Sequence, residues 1–468
     1  MSRICLLALR NLLRNRRRSW ATLGAMVVGL VAMLVFGGYA SFSKLAIETG
    51  YVQYHGHLQI QRTGYFVYGS GNPVEYGIAD YQRIIDVVKQ DPVLRPMLVV
   101  VTPSLRLNGV AGNFAQGSSQ GVVALGSVED EQNRMHRWDD YGCAIYSPEA
   151  ALSGTPSDST VIGTGVARML QLCEPLKLDN CPTAEEMGMV RPPDNHAPAI
   201  SADIQELSSL EQQQTPESSA TRIELLAANQ RGAPNVVSLN VVQAQNWGVK
   251  EIDDSLIVLH LEQAQRLVYG AGPAQVTAIQ IQLAHTAQIP AARARLQQIL
   301  SDQFKDAHLQ IVDYEELAPI YKQTVQFFDS IFGFISILIY VIVLFTVGNT
   351  MSMAVAERSA EIGTLRAIGQ QRNGIRSLFI CEGGMLGVIG AVLGIAIALP
   401  VGYLINHSGL TWTPPAYSYA YPVAVRIWGD HGLIFSSAIS LVVVAVIAAW
   451  WPANRAARQN IVDALRHV

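Results

Sequence analysis

The 357–377 stretch, ERSAEIGTLRAIGQQRNGIRS, lies between two apolar runs. Ser330–Ala356 holds 27 residues without a charge, and Gly383–Ile405 holds 23 more. Each exceeds the roughly 20 residues that carry a helix across a bilayer. The charged stretch between them must therefore sit at a membrane surface. Its basic excess, Arg358, Arg366, Arg372 and Arg376 against Glu357 and Glu361, assigns it to the cytoplasmic side. Ile362, Leu365 and Ile368 recur at a spacing of three and give a short helix one apolar edge. Arg358 is spaced to meet Glu361 at i,i+3, and Gly369 is placed to end the helix in a left-handed cap. Two readings follow: a solvated loop, or a docking knob for a cytoplasmic partner.

Composition agrees with a membrane protein. Half of the 468 residues are hydrophobic and 15% are charged, and the mean hydropathy is +0.22. The net charge of −4 gives no sign of a nucleic-acid partner. No Lys follows a Gly, so the core of a phosphate-binding loop is absent from this sequence. HExxH and metal-ligand clusters are also lacking, and the chain reads as non-catalytic.

Four spans can be read: 19–43, 330–356, 378–405 and 433–451. Arg3, Arg10, Arg14, Arg16, Arg17 and Arg18 precede the first, and Arg455, Arg458 and Arg466 follow the last. Both ends are thus expected in the cytoplasm. The first span exceeds a signal-peptide core and lacks a clear cleavage site, so it reads as a retained anchor. The fold class expected is an α-helical membrane protein with four transmembrane helices plus a large extracytoplasmic α+β domain, 44–329, inserted between the first and second helices. Segment 1–18 reads as an interfacial helix or a plain topogenic flank, 406–432 as a short periplasmic loop and 452–468 as a cytoplasmic tail.

Asn349-Thr350-Met351, Ala354-Val355, Glu357-Arg358, Glu361-Ile362-Gly363 and Leu365-Arg366-Ala367-Ile368-Gly369 resemble the FtsX-like permease pattern. This family supplies the membrane subunit of MacB-type (type VII) ABC transporters, including the lipoprotein-releasing permeases. Pro452-Ala453-Asn454-Arg455-Ala456-Ala457-Arg458 and Asp463-Ala464-Leu465-Arg466 resemble its closing motif, and 54–60 the start of the external domain in the lipoprotein-releasing subgroup. The resemblance implies that 357–377 is a coupling helix seated in a separate ATPase, with Glu357, Arg358, Glu361, Ile362, Leu365, Arg366 and Gly369 at the contact. It implies an ATPase dimer binding ATP and Mg, with no cofactor on this chain, and a second permease copy, identical or paralogous. It further implies a multi-pass protein of the bacterial inner membrane, surrounded by lipid, with a periplasmic cargo or accessory protein. Mechanotransmission to a lipoprotein or lipid cargo is the expected function. The alternative is an interaction protein that passes an ATPase signal to a periplasmic partner such as a cell-wall hydrolase.

Within the external domain, helices are expected over Asp80–Lys89, Leu261–Leu267 and Pro290–Leu300. Strands are expected over His57–Gln61, Leu98–Thr102, Ser104–Leu107, Gly121–Leu125, Thr160–Ile162, Ser255–Leu259, Val276–Leu283 and His308–Val312. A helix over Tyr314–Phe328 is expected to run directly into the second span. His55 and His57 read as polar strand residues rather than metal ligands, and Asp253-Asp254 as a solvated turn rather than a cation site. Segment 174–221, rich in Pro, Ser, Gln and Glu, reads as a flexible insertion. In an oxidising compartment Cys173 and Cys181 are placed to close a small loop beside it. Gly383, Gly387, Gly390 and Gly394 make two GxxxG spacings that favour close helix contact. Glu382 is read as a switch, a snorkelling side chain or the partner of an arginine such as Arg376.

Overall fold

The computed structural model describes residues 10–11, 16–145, 147–179, 181, 221–413, 415 and 417–459. Of the expected interfacial segment 1–18, all but Arg10, Asn11 and Arg16–Arg18 lies outside the described residues, as do Cys5, the 182–220 part of the insertion and the closing Asp463–Arg466 motif. The chain divides into two compact units. One is Met1–Leu45, Ile320–Trp412 and Pro422–Val468; the other is Ala46–Pro319 with Thr413–Tyr421.

Helix α1, Arg16–His55, is 40 residues long. At 1.5 Å per residue it reaches about 60 Å, twice a hydrocarbon core of about 30 Å. It therefore continues well beyond the span read at 19–43. No proline interrupts it, and it stops at Gly56, whose φ of 74° is open to glycine. A Cβ there would lie 2.8 Å from the carbonyl oxygen of Ile281, so the chain passes flush against the sheet it then joins. Polar side chains fasten the end of α1 within its unit. Buried Glu48 accepts from Tyr141 Oη at 3.0 Å and Thr286 Oγ1 at 2.8 Å, and Gln53 Nε2 donates to the Trp138 carbonyl at 2.7 Å.

The second unit is built on nine strands: β1 Leu58–Arg62, β2 Leu98–Asn113, β3 Ser118–Ser127, β4 Ser159–Gly163, β5 Arg222–Ala228, β6 Pro234–Gln245, β7 Leu256–His260, β8 Ala278–Leu283 and β9 Leu309–Asp313. The helices along it include α2 Tyr81–Gln90, α3 Glu129–His136, α4 Thr164–Met169, α5 Lys250–Asp253, α6 Leu261–Tyr269, α7 Ile289–Gln303 and α8 Tyr314–Leu317. The two strands expected over Leu98–Leu107 are one 16-residue strand. It runs through Pro103, where pairing with β3 has not yet begun; that pairing starts at Ser104 opposite Ser127. The first half of β2 pairs with β8, which continues through β1 to β9 as an antiparallel sheet. Its second half pairs with both β3 and β5, and the pairings β3–β7–β4–β6–β5 close back on it. The result is a six-stranded ring that leaves β2 no free edge there. The larger of its apolar cores takes Leu105 and Leu107 from β2, Ile281 from β8, Ile84 from α2, Ala264 from α6 and Leu296 from α7.

Three expectations in this unit need correction. The helix over Tyr314–Phe328 is not continuous. Pro319 disfavours helical geometry at Ala318, which sits at φ −120°, ψ 75°, so α8 ends there and a new helix starts. Asp253 is not solvated: it is 4% exposed and accepts the Trp247 N–H at 2.5 Å. Neither histidine is a strand residue: His55 ends α1, and His57 is buried just ahead of β1. Its Nδ1 accepts the Leu283 N–H at 3.0 Å, which leaves the proton on Nε2, 3.3 Å from Thr286 Oγ1. Cys173 and Cys181 are joined in a disulfide.

In the first unit α1 is joined by α9 Pro319–Glu357, α10 Ser359–Ala367, α11 Arg372–His407 and α12 His431–Ala457; two-residue strands β10 Thr411–Trp412 and β11 Tyr421–Pro422 lie between the last two helices. Four helices, α1, α9, α11 and α12, are long and apolar enough to cross a membrane among the described residues. They share a core that includes Met26, Leu30, Val347, Leu386, Leu441 and Ala445. Hydroxyl pairs add contacts between helices, Thr22 with Thr350 and Tyr340 with Ser440, each at 2.7 Å.

Candidate functional site

Helix α10 is set apart by a break at each end. Arg358 leaves helical geometry, with φ −107° and ψ 15°, and separates α10 from α9. At the other end Gly369 takes φ 103°. Its N–H reaches the Arg366 carbonyl at 3.1 Å, and the Gln370 N–H reaches that of Leu365 at 3.0 Å. This is the glycine cap expected from the sequence.

The seven residues assigned to the contact do not share one face. Ile362 is buried with Val355, Ile375, Phe379, Ala453 and Ala456. Leu365 and Ile368 are 41% and 80% exposed, so the expected apolar edge is split. Glu361, Thr364, Leu365 and Ile368 form the outward side. Exposed Glu357 pairs with Arg18 at 2.5 Å. Arg366 turns back, its Nη1 donating to the carbonyls of Ala457 at 3.3 Å and Gln459 at 2.8 Å. It thereby satisfies acceptors that the end of α12 leaves open. Arg358 is buried and its Nη1 donates to Glu382 Oε1 at 3.0 Å. The partner of Glu382 is therefore Arg358; Arg376, the arginine the spacing offered, instead donates to Asn454 Oδ1 at 2.9 Å.

The glycines of α11 serve two neighbours. A Cβ on Gly383 would lie 2.4 Å from that of Ala449, and one on Gly387 3.1 Å from Val442 Cα, both on α12. On Gly390 it would meet Met26 Cβ at 3.2 Å and on Gly394 Leu30 Cδ2 at 2.8 Å, both on α1. The first GxxxG thus seats α12 and the second seats α1, most tightly at Gly383 and Gly394, where a Cβ would come within 3.0 Å of its neighbour.

Residues 333–461, from α9 into the tail beyond α12, match the FtsX-like permease C-terminal family. This part of the chain is similar to the C-terminal region of FtsX-like permeases. An uncharacterised ABC transporter permease of Methanocaldococcus jannaschii is 25% identical over 221 residues, 46% of this chain and 51% of the relative. The Bacillus subtilis ABC transporter permease YtrF is 35% identical over 143 residues, 29% of this chain and 30% of the relative. The lipoprotein-releasing system transmembrane protein LolC of Neisseria meningitidis is 26% identical over 243 residues, 50% of this chain and 56% of the relative. The chain spans about half, or less, of the length of these curated relatives. The FtsX-like part contains α10, the glycines of α11 and Glu382.

One segment that sequence reasoning left as a plain loop is organised. Thr413–Tyr421, between α11 and α12, counts with the second unit. The Ser418 N–H donates to the Gly248 carbonyl at 2.9 Å, and Ser418 Oγ reaches Asn246 Oδ1 at 2.6 Å and Asp253 Oδ2 at 3.3 Å. Burial pushes the Asp253 carboxyl above its ordinary range. Tyr419 stacks on Tyr421 at 4.9 Å, and Tyr417 meets Tyr421 edge-on at 5.3 Å. The signal was available: Tyr417, Tyr419 and Tyr421 alternate as in a half-buried strand.

Proposed function

We propose that this chain is the permease subunit of an ABC transporter, driven by a separate ATPase that docks on α10. The observation that carries the reading is the two-sided character of this helix. Ile362 and Arg366 brace it against its own bundle, while Leu365 and Ile368 stay exposed beside Glu361. Apolar side chains exposed on a helix between two membrane-length helices suit a protein partner. The similarity to LolC, a lipoprotein-releasing system transmembrane protein, supports a hydrophobic cargo such as lipoprotein or lipid, extracted or exported on the periplasmic side of a bacterial inner membrane. In this reading both termini and α10 are cytoplasmic, the sheet domain is periplasmic, and two permease copies, identical or paralogous, accompany an ATPase dimer that binds ATP and Mg.

The test is affinity purification of the full chain from its native membrane. An ATPase with phosphate-loop motifs should copurify in stoichiometric amount, and Leu365→Ser with Ile368→Asp should abolish its capture without loss of the permease. Absence of any ATPase in several mild detergents would sink the proposal. Arg366 is a poor probe, because its contacts hold the end of α12.

A further inference from the structure

We infer that Arg358 and Glu382 are positioning residues: their buried ion pair, joined by Asn11, fixes where α10 begins and makes it move with α11. The inference rests on the coupling reading only for what that motion serves. Among the described residues this is the one ion pair with both side chains under a tenth exposed, 7% for Arg358 and 2% for Glu382. Buried pairs are often no more stabilising than apolar residues of the same size, whereas removing one partner leaves an uncompensated charge. Overall stability is therefore a weak account of the pair, and its location is a better one.

Glu382 Oε1 accepts from Arg358 Nη1 at 3.0 Å and from Asn11 Nδ2 at 2.6 Å, and Arg358 Nη2 donates to the Asn11 carbonyl at 3.3 Å. Three separate segments thus meet at one carboxylate. Arg358 is also the residue whose backbone breaks α9 from α10, and its carbonyl accepts the Ile362 N–H at 2.9 Å, the first bond of α10. Anchoring its side chain fixes that carbonyl. Without Glu382 the guanidinium would have to leave its buried site, and the start of α10 would leave with it.

The experiment is amide hydrogen exchange on the full chain in nanodiscs of phosphatidylethanolamine and phosphatidylglycerol. Glu382→Gln should accelerate exchange over 360–369 about tenfold, with β1–β9 unchanged. The exchanged pair, Arg358→Glu with Glu382→Arg, should return much of the protection. Asn11→Ala removes one hydrogen bond and no charge, and should accelerate the same segment about threefold; it decides the matter if Glu382→Gln does not fold. Unchanged exchange over 360–369 would overturn the inference. So would acceleration spread equally over α9, α11 and α12, because the pair would then only hold the bundle together. Capture of an ATPase is no part of this readout. Its failure removes the coupling reading and leaves the brace, whereas unchanged exchange removes the brace and leaves the reading.

Discussion

The two connections among the last three membrane-length helices are held in opposite ways. The turn between α9 and α11 folds onto its own bundle, through apolar Ile362, the Arg366 cap on α12 and a buried ion pair. The connection between α11 and α12 gives Thr413–Tyr421 to the other unit, through hydroxyl–carboxylate and amide bonds, while its three tyrosines pack on one another. The first is set by close packing and one desolvated charge, the second by many modest polar contacts. A connection of the first kind should fail all at once, and one of the second kind by degrees.

The sharpest way to break this comparison is steric. Gly383→Leu drives a side chain into α12, where even a Cβ has no room. It should destabilise the first unit by about 3 kcal/mol or more and lower its melting temperature in detergent. Gly348, with no atom closer than 3.7 Å to its would-be Cβ, is the control, and Gly348→Ala should change little. On the other connection, Asp253→Ala strips the buried Trp247 N–H of its acceptor and should cost about 1–3 kcal/mol, read as faster proteolysis near Gly248. Ser418→Ala removes one side-chain contact and should cost about 1 kcal/mol. An effect of Ser418→Ala as large as that of Gly383→Leu would erase the distinction.

Acid should act on the sheet unit through two core histidines. Burial lowers His57 to about 3 and His136 to about 4. An unfolded imidazole titrates near 6.5, so below that pH the unfolded chain binds protons that the folded one refuses. The contribution is intact above pH 6.5 and is lost as pH falls toward 4, at up to about 1.4 kcal/mol per pH unit for each ring. Trp138, 4.8 Å from the His57 ring, should report this in its fluorescence, and His136→Gln should flatten the slope. The smallest effect on stability belongs to Ile368→Ser, expected within about 0.5 kcal/mol of wild type because the side chain is 80% exposed.

Much of the membrane part was legible because its signals are local. Uncharged runs of 27 and 23 residues set two helices, Gly369 set the cap of α10, and the spacing of Gly383 to Gly394 set which face of α11 packs closely. Side-chain direction was not legible. Arg358 and Arg366 sit in a charged surface stretch by composition, yet one is buried on Glu382 and the other caps α12. Two glycine pairs on one spacing gave no hint that one seats α12 and the other α1. In the sheet unit most strands could be read singly, but β2 was read as two pieces and β5, β6, α3 and α5 were missed.

The sequence by itself determined where the chain can cross a membrane, where its helices stop and which segments alternate as strands, because hydropathy, glycine and proline act over a few residues. Only the tertiary structure decided that β2 closes a six-stranded ring, that Tyr417–Tyr421 dock beside Asp253, and that Arg358 rather than Arg376 neutralises Glu382. Each depends on residues brought together from distant parts of the chain. A buried charge takes the partner that the fold delivers to it, and sequence distance does not record which one that is.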